Sequence, residues 1–375
     1  MKAICASAAI AVVANVADGQ QRSGGADPID QIVSQEMAAR RIPGVSIAVI
    51  KNGEIIKKAS YGLASVELGV SVTNSTLFHL ASTTKEFTGV AIMALVEDGR
   101  IALDRSIRTY LPELPAAWAP VTIQNCLSHT SGLPDGVASD QVNILPLAGD
   151  RESLLKVLAA MPVAEPGTRA IYNQTELMLL ADIIARVSGK SYESFIEDRL
   201  LKPIGISDMR WGDSWNVIPR RASLYTALEP TADRSKLRLD AKGRPVFSTT
   251  GIHAFGAKGE PDWLMPAAGL NANLDSMAKW EAALWTGKVI KPASLAMMAK
   301  PFQLRDGTLG PFGLVMVIGR QEGRTTVSSG GGAAVWLTTL PDIGLTAIVL
   351  TNLQASSPQV LVTKILQFYL QQKSN

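Results

Sequence analysis

Two β-rich runs, VSIAVIK and EIIKKASYG, flank the dipeptide Asn52-Gly53, and no other short stretch limits the fold as strongly. Asn-Gly supplies two consecutive residues that tolerate positive φ, as a two-residue type I′ turn requires, so the runs pair as an antiparallel hairpin. A similar pattern returns at the far end. Phe312 to Ile318, Arg324 to Ser328, Val335 to Leu340 and Leu345 to Thr351 read as strands between Gly, Pro and Asp turns. Helical spacing accounts for much of the rest: Ile29, Ile32, Val33 and Met37 recur at helical intervals, Thr84 to Glu97 ends at Gly99, and Glu176 to Val187 ends at Gly189. Tyr192 to Leu201 stops before Pro203, and Pro358 to Gln371 closes the chain as an amphipathic helix. The predicted class is α/β in the α+β sense. An antiparallel sheet from about 28–80 and 300–375 is flanked by helices, with a mainly helical subdomain inserted at about 100–290. A groove between the two parts is the expected place for a small-molecule site.

With 47% apolar and 18% charged residues, the 375-residue chain has the composition of a globular enzyme. Its net charge is only +3 and no basic stripe recurs, which argues against nucleic acid as a partner. Residues 1–17 read as an export signal: Lys2 opens it, an apolar run extends from Ala3 to Ala14, and Ala14 or Ala17 offers a small residue for cleavage. Residues 18–27 then form a polar, Gly-rich linker, and the folded domain is residues 28–375. A periplasmic or secreted protein is expected, with no integral membrane segment once the signal is removed. Cys126 would then be the sole thiol, and in the apolar stretch VTIQNCL it reads as buried and structural. Three histidines without paired thiols give no metal-ligand spacing, and no cofactor is implied.

Ser-x-x-Lys occurs at Ser82/Lys85, Ser153/Lys156 and Ser276/Lys279, where about one match is expected by chance. Context separates them. Ser153 and Ser276 read as helix N-caps with solvated lysines. Ser82 follows the apolar FHLA and opens a helix whose Phe87, Val90, Ala91, Ala94 and Leu95 form a buried stripe. Ser82 and Lys85 stand one turn apart on one face, within hydrogen-bonding reach. The helix N-terminus favours an oxyanion, and burial favours the neutral amine that can take the serine proton. On these residues alone, a nucleophile and a plain cap with a surface lysine stay equally open.

Neighbouring segments change that balance. FHLASTTKEFTGVAIMALVEDGRIALDRSIRTYLPELP, LSHTSGLPD at 127–135, PGTRAIYNQTELMLLADIIARVSGKSYESFIEDRLLKPIGISDM, PAAGLNANLDSMAKWEAAL at 266–284 and LPDIGLTAIVLTN at 340–352 occur in this order. Together they resemble the serine β-lactamase and penicillin-recognising family, class C-like branch, from about residue 28 to the C-terminus. The resemblance implies a β-lactamase/transpeptidase-like fold in which Ser82 forms an acyl-enzyme and Lys85 assists its activation. Tyr172, in the family's Tyr-x-Asn motif, would be the general base for acylation and the acid toward the leaving group, its phenol pKa lowered by the nearby ammonium.

Two departures bear on substrate. Gln174 stands where the family usually has Asn. The third motif, commonly Lys-Thr-Gly or His-x-Gly, is here Ser329-Gly330-Gly331, with the N–H of Gly332 as a candidate second oxyanion donor. Without the cation or imidazole, Ser329 is a poor partner for a substrate carboxylate. The first expectation is therefore a serine hydrolase taking a small acyl substrate, an ester in preference to a β-lactam. The second keeps the chemistry for a β-lactamase or D-amino-acid peptidase, and the third is a catalytically degenerate binding protein. His129 and His79 read as structural and His253 as remote. Glu176 is either an extra base facing the groove or, preferentially, the first-turn acid of a helix. No Gly-x-Ser-x-Gly elbow is present, against an α/β-hydrolase.

Overall fold

A computed structural model describes residues 27–137, 151–212, 216–227, 262–332 and 334–372, with the backbone of 253 and 254. The export and linker readings, and the side chain of His253, lie outside the described residues.

The Asn52-Gly53 turn forms as its chemistry dictates. Asn52 has φ 50° and Gly53 φ 81°, joining β1 (Gly44–Lys51) to β2 (Glu54–Ser65). Short β3 (Val70–Ser71) borders β2. From the C-terminal end come β4 (Val317–Gln321), β5 (Arg324–Gly331), β6 (Val335–Leu340) and β7 (Leu345–Thr351). They join one seven-stranded sheet in the order β3-β2-β1-β7-β6-β5-β4, with antiparallel neighbours throughout. The seam between the two ends is β1 against β7, Val45 facing Thr351 and Lys51 facing Leu345. One strand starts later than its sequence suggests. Val315 takes a left-handed φ of 59°, which breaks the run from Phe312 and delays β4 to Val317.

β1 is buried on both faces, so its residues divide between two cores. Val45, Ile47 and Val49 meet α1 (Pro28–Arg40) and α5 (Pro358–Gln371) through Ile29, Val33, Leu361 and Ile365. Ala48 and Ile50 join the opposite core, which holds α2 (Thr84–Glu97), α3 (Thr175–Ser188) and α4 (Leu274–Trp285). Helix α2 is buried on every side from Thr84 to Leu95, not along one stripe, because it packs both on α3 and on the short helix Met265–Ala268. Among the described residues, no helix is long and apolar enough to cross a membrane.

Candidate active site

Ser82 sits in a 3-10 turn, Ala81–Thr83, that leads into α2. Ala81 holds a left-handed φ of 44°, strain of about 1–3 kcal/mol for a non-glycine residue, at the position just before the hydroxyl. The turn is tied down from one side by a short strand, Leu270–Ala272: Leu80 N–H donates to Leu270 O at 2.9 Å, and Leu270 N–H donates to Thr84 Oγ1 at 3.1 Å. From the other side β5 presses Gly331 against it. A Cβ on Gly331 would lie 1.9 Å from Leu80 O and 2.8 Å from Ser82 N. Only glycine lets the strand approach that closely. Gly330 is constrained likewise by the Trp336 ring, and Gly332 turns off the strand beside Ala81 with φ 55°.

Lys85 is 2% exposed and its Nζ donates to Ser82 Oγ at 2.9 Å and to Ala267 O at 3.0 Å. The same nitrogen lies 4.8 Å from the centroid of the Tyr172 ring, a cation–π distance. Tyr172 precedes α3 and is 41% exposed, so it borders the open side of the site. Its phenol is pushed above the ordinary tyrosine range, principally by burial, while hydrogen bonding with Ser82 and Gln174 acts in the opposite direction. This corrects the lowered phenol expected from the neighbouring ammonium: desolvation of the phenolate outweighs it. Thus Ser82, Lys85, Tyr172 and Gln174 converge. Asn173 turns inward, its Nδ2 donating to Leu133 O at 2.7 Å and its Oδ1 accepting Glu176 N–H at 3.3 Å.

In the other two Ser-x-x-Lys pairs both lysines are exposed as expected, but the serines differ from their expected role. Neither serine is an N-cap. Ser153 lies within the helix Arg151–Ala159, and Ser276 donates its backbone N–H to Asn273, the actual cap of α4. Lys156 pairs with Glu152 in solvent, and Lys279 donates to Gly205 O.

Two buried pairs escape sequence reasoning. Glu176 does stand in the first turn of α3, yet it is fully buried, and its Oε2 lies 2.5 Å from Nδ1 of His129. It is therefore the first-turn acid of a helix, as preferred, but a buried one, and not a groove-facing base. The second pair lies behind Lys85. Glu86 of α2 and Glu281 of α4 are each 1% exposed and interact with each other. Trp280 Nε1 donates to Glu86 Oε1 at 2.7 Å, and Trp285 Nε1 donates to Glu281 Oε2 at 3.0 Å. Ser329 is also buried, 4% exposed, with its hydroxyl on Glu86. Its hydroxyl acts to lower the pKa of Glu86, against the larger effect of burial. Among the described residues, no three His, Cys, Asp or Glu side chains are grouped to hold a metal.

The acidic pair has a measurable consequence. Burial and then the charge of Glu86 raise Glu281 well above its ordinary 4.5. Between the unfolded and the raised folded pKa the native state binds more protons, so stability falls as pH rises above about 4.5. Glu281→Gln removes that penalty and gives Glu86 an amide donor. We expect the two proteins to melt together near pH 4.5 and the variant to melt about 1–6 °C higher at pH 8, from a gain of about 1–4 kcal/mol. Thermal melts at both pH values check this; a variant less stable at pH 8 contradicts it.

Comparison with known proteins follows the same outline. The family model described as Beta-lactamase matches residues 29–370. Protein flp of Staphylococcus aureus (strain N315) is 30% identical over 263 residues, covering 67% of this chain and 47% of that protein. The chain thus spans about half the length of this curated relative. The octameric penicillin-binding protein homologue from Pyrococcus abyssi superposes with a TM-score of 0.72 at 26% identity, over 91% of this chain and 76% of its own. EstCE1, a hydrolase with promiscuous acyltransferase activity, gives 0.69 at 20% identity, over 88% and 93%.

Proposed function

This chain belongs to the β-lactamase family of serine hydrolases, and from that premise we propose that it cleaves small neutral esters through an acyl-enzyme on Ser82. The observation that carries the reading is the 2.9 Å contact between the buried Lys85 amine and the Ser82 hydroxyl, with Tyr172 closing the same space. In the forward step the ionised form of Tyr172, made when its phenol proton passes to the neutral Lys85 amine, takes the Ser82 proton as the oxygen attacks the carbonyl. The N–H groups of Ser82 and Gly332 receive the oxyanion, and Tyr172 returns the proton to the leaving alcohol. Water then repeats the sequence on the acyl-enzyme. Gln174 beside the phenol offers an amide to the substrate.

The ester preference is supported by position 329. A β-lactam or D-alanyl peptide carries a carboxylate, for which a charge-assisted contact is worth about twice a neutral one. Ser329 has no charge, and its hydroxyl is already engaged by Glu86. EstCE1, a hydrolase, shares the fold. The second reading, a β-lactamase or D-amino-acid peptidase, draws on the penicillin-binding protein homologue and uses the same acylation.

Assays with short-chain p-nitrophenyl esters and a chromogenic cephalosporin decide between them. We expect the larger kcat/KM for an ester; a larger value for the cephalosporin reverses the ranking. A fluorophosphonate should add one label to the wild type and none to Ser82→Ala by intact mass. A folded wild type that takes no label would instead make the protein a binder without turnover.

A further inference from the structure

The acylation scheme leaves unused a buried ionisable pair directly behind its general base. We propose that His129 and Glu176 act together as positioning residues for Tyr172, the imidazole bracing the phenol ring and the carboxylate fixing the imidazole. The inference rests on the reading of Tyr172 as general base.

His129 and Glu176 are each 1% exposed and 2.5 Å apart, although 47 positions separate them in sequence. The carboxylate is held at its other oxygen, where Oε1 accepts Ser131 N–H at 3.3 Å. The imidazole centroid lies 4.8 Å from that of Tyr172 at 52°, and 4.9 Å from Phe312 at 74°. Phe312 stands 6.2 Å from Tyr172, so three rings share one contact. The backbone of His129 holds the same segment: its carbonyl accepts Ile171 N–H at 2.8 Å, one residue before the tyrosine. Nε2 of His129 is buried without a partner among the described residues, leaving Glu176 as the polar anchor of the ring. With one side open, Tyr172 depends on this packing for its orientation. A tilt of the phenol by a fraction of an ångström moves its oxygen off the Ser82 proton.

The pair also sets the local charge. Facing Tyr172 and the pair are Lys85 of α2, Asp135 of the loop before residue 138, and Cys126 of the short helix Ile123–Leu127. The Cys126 thiol is pushed up by burial and then by the charge of Glu176, and so stays neutral. Asp135 and Glu176 both disfavour the phenolate, whereas hydrogen bonding with Ser82 and Gln174 favours it. Removing the negative charge of Glu176 must therefore ease ionisation of Tyr172. Activity that depends on the basic form of Tyr172 rises with pH through its pKa, so easing ionisation moves that rise to lower pH.

Glu176→Gln tests this, since it keeps the shape and a hydrogen bond to Nδ1 while removing the charge. With the best ester we expect kcat to fall about tenfold with KM within about twofold, and the acid limb of kcat/KM to move at least about half a pH unit lower. A merely structural role would lower the yield of folded protein and leave the limb in place; an unmoved limb overturns the proposal. His129→Gln, which breaks the pair from the other side, should give the same drop in kcat, and full activity in it overturns the bracing role. Tyr172→Phe separates the two levels of inference. If it retains wild-type activity, the general-base reading fails; if it is impaired and Glu176→Gln lowers its residual rate a further tenfold, the pair acts elsewhere than through Tyr172.

Discussion

Lys85→Ala is expected to lower kcat/KM for an acyl substrate by about 10³-fold, the middle of the range for loss of a positioned proton-transfer group. The amine lies between three partners, Ser82 Oγ at 2.9 Å, Ala267 O at 3.0 Å and the ring of Tyr172. Alanine removes the nitrogen from all three at once, leaving the serine at its ordinary, weakly nucleophilic state and a buried carbonyl without its donor. Lys85→Met isolates the chemistry, because it refills most of the space but returns no amine. It should be as inactive as alanine while melting nearer to wild type. Lys85→Arg should not rescue activity, since a guanidinium does not give up its proton and its planar fork does not fit a single hydroxyl at this distance. Rates of esterase turnover and of fluorophosphonate labelling, each paired with a melting curve, check the set. Activity within tenfold of wild type in Lys85→Met would remove Lys85 from the mechanism.

The contrast between what was legible in the sequence and what was not follows the range of the interactions. The β1–β2 hairpin was legible because Asn52 and Gly53 decide it locally through positive φ. The Ser82–Lys85 contact was legible as a helix-turn spacing, though which of three such pairs mattered came only from the surrounding resemblance. Tyr172 entered through that resemblance alone; nothing in its neighbours' spacing points across to Ser82. The two buried ionisable pairs were beyond reach. Glu176 meets His129 and Glu86 meets Glu281 only after α2, α3 and α4 have packed, and a glutamate in a helical run looks solvated until its surroundings are known. Burial also explains the reversed sign at Tyr172. A sequence shows which charges are nearby, whereas the loss of water that raised the phenol belongs to the packed state. Ser329 illustrates the same limit: its position in the third motif was readable, its engagement with Glu86 was not.

Gly331→Ala is expected to lower kcat/KM by about 10²-fold and stability by about 1–3 kcal/mol, although a single methyl is added. The methyl would have to occupy space 1.9 Å from Leu80 O and 2.8 Å from Ser82 N, both backbone atoms with no rotamer to adopt. Neither partner can retreat freely. Leu80 is bonded at both ends, its N–H to Leu270 O at 2.9 Å and its carbonyl to Thr83 N–H at 3.1 Å, and Ala81 beside it is already strained. On the strand side, Gly331 is paired in register with Val335. The turn and β5 must therefore part by about an ångström, which carries Ser82 away from Lys85 and alters the spacing between the N–H groups of Ser82 and Gly332. Gly323→Ala, at the opposite end of the same strand, is the control. Its φ of 78° makes it strained too, but an added Cβ meets no atom within 4 Å, so it should lose about 1 kcal/mol and keep full turnover. Equal losses of stability with turnover lost in Gly331→Ala alone would place the effect at the nucleophile. Were both variants equally active, the close seat of β5 against Ser82 would have no part in catalysis.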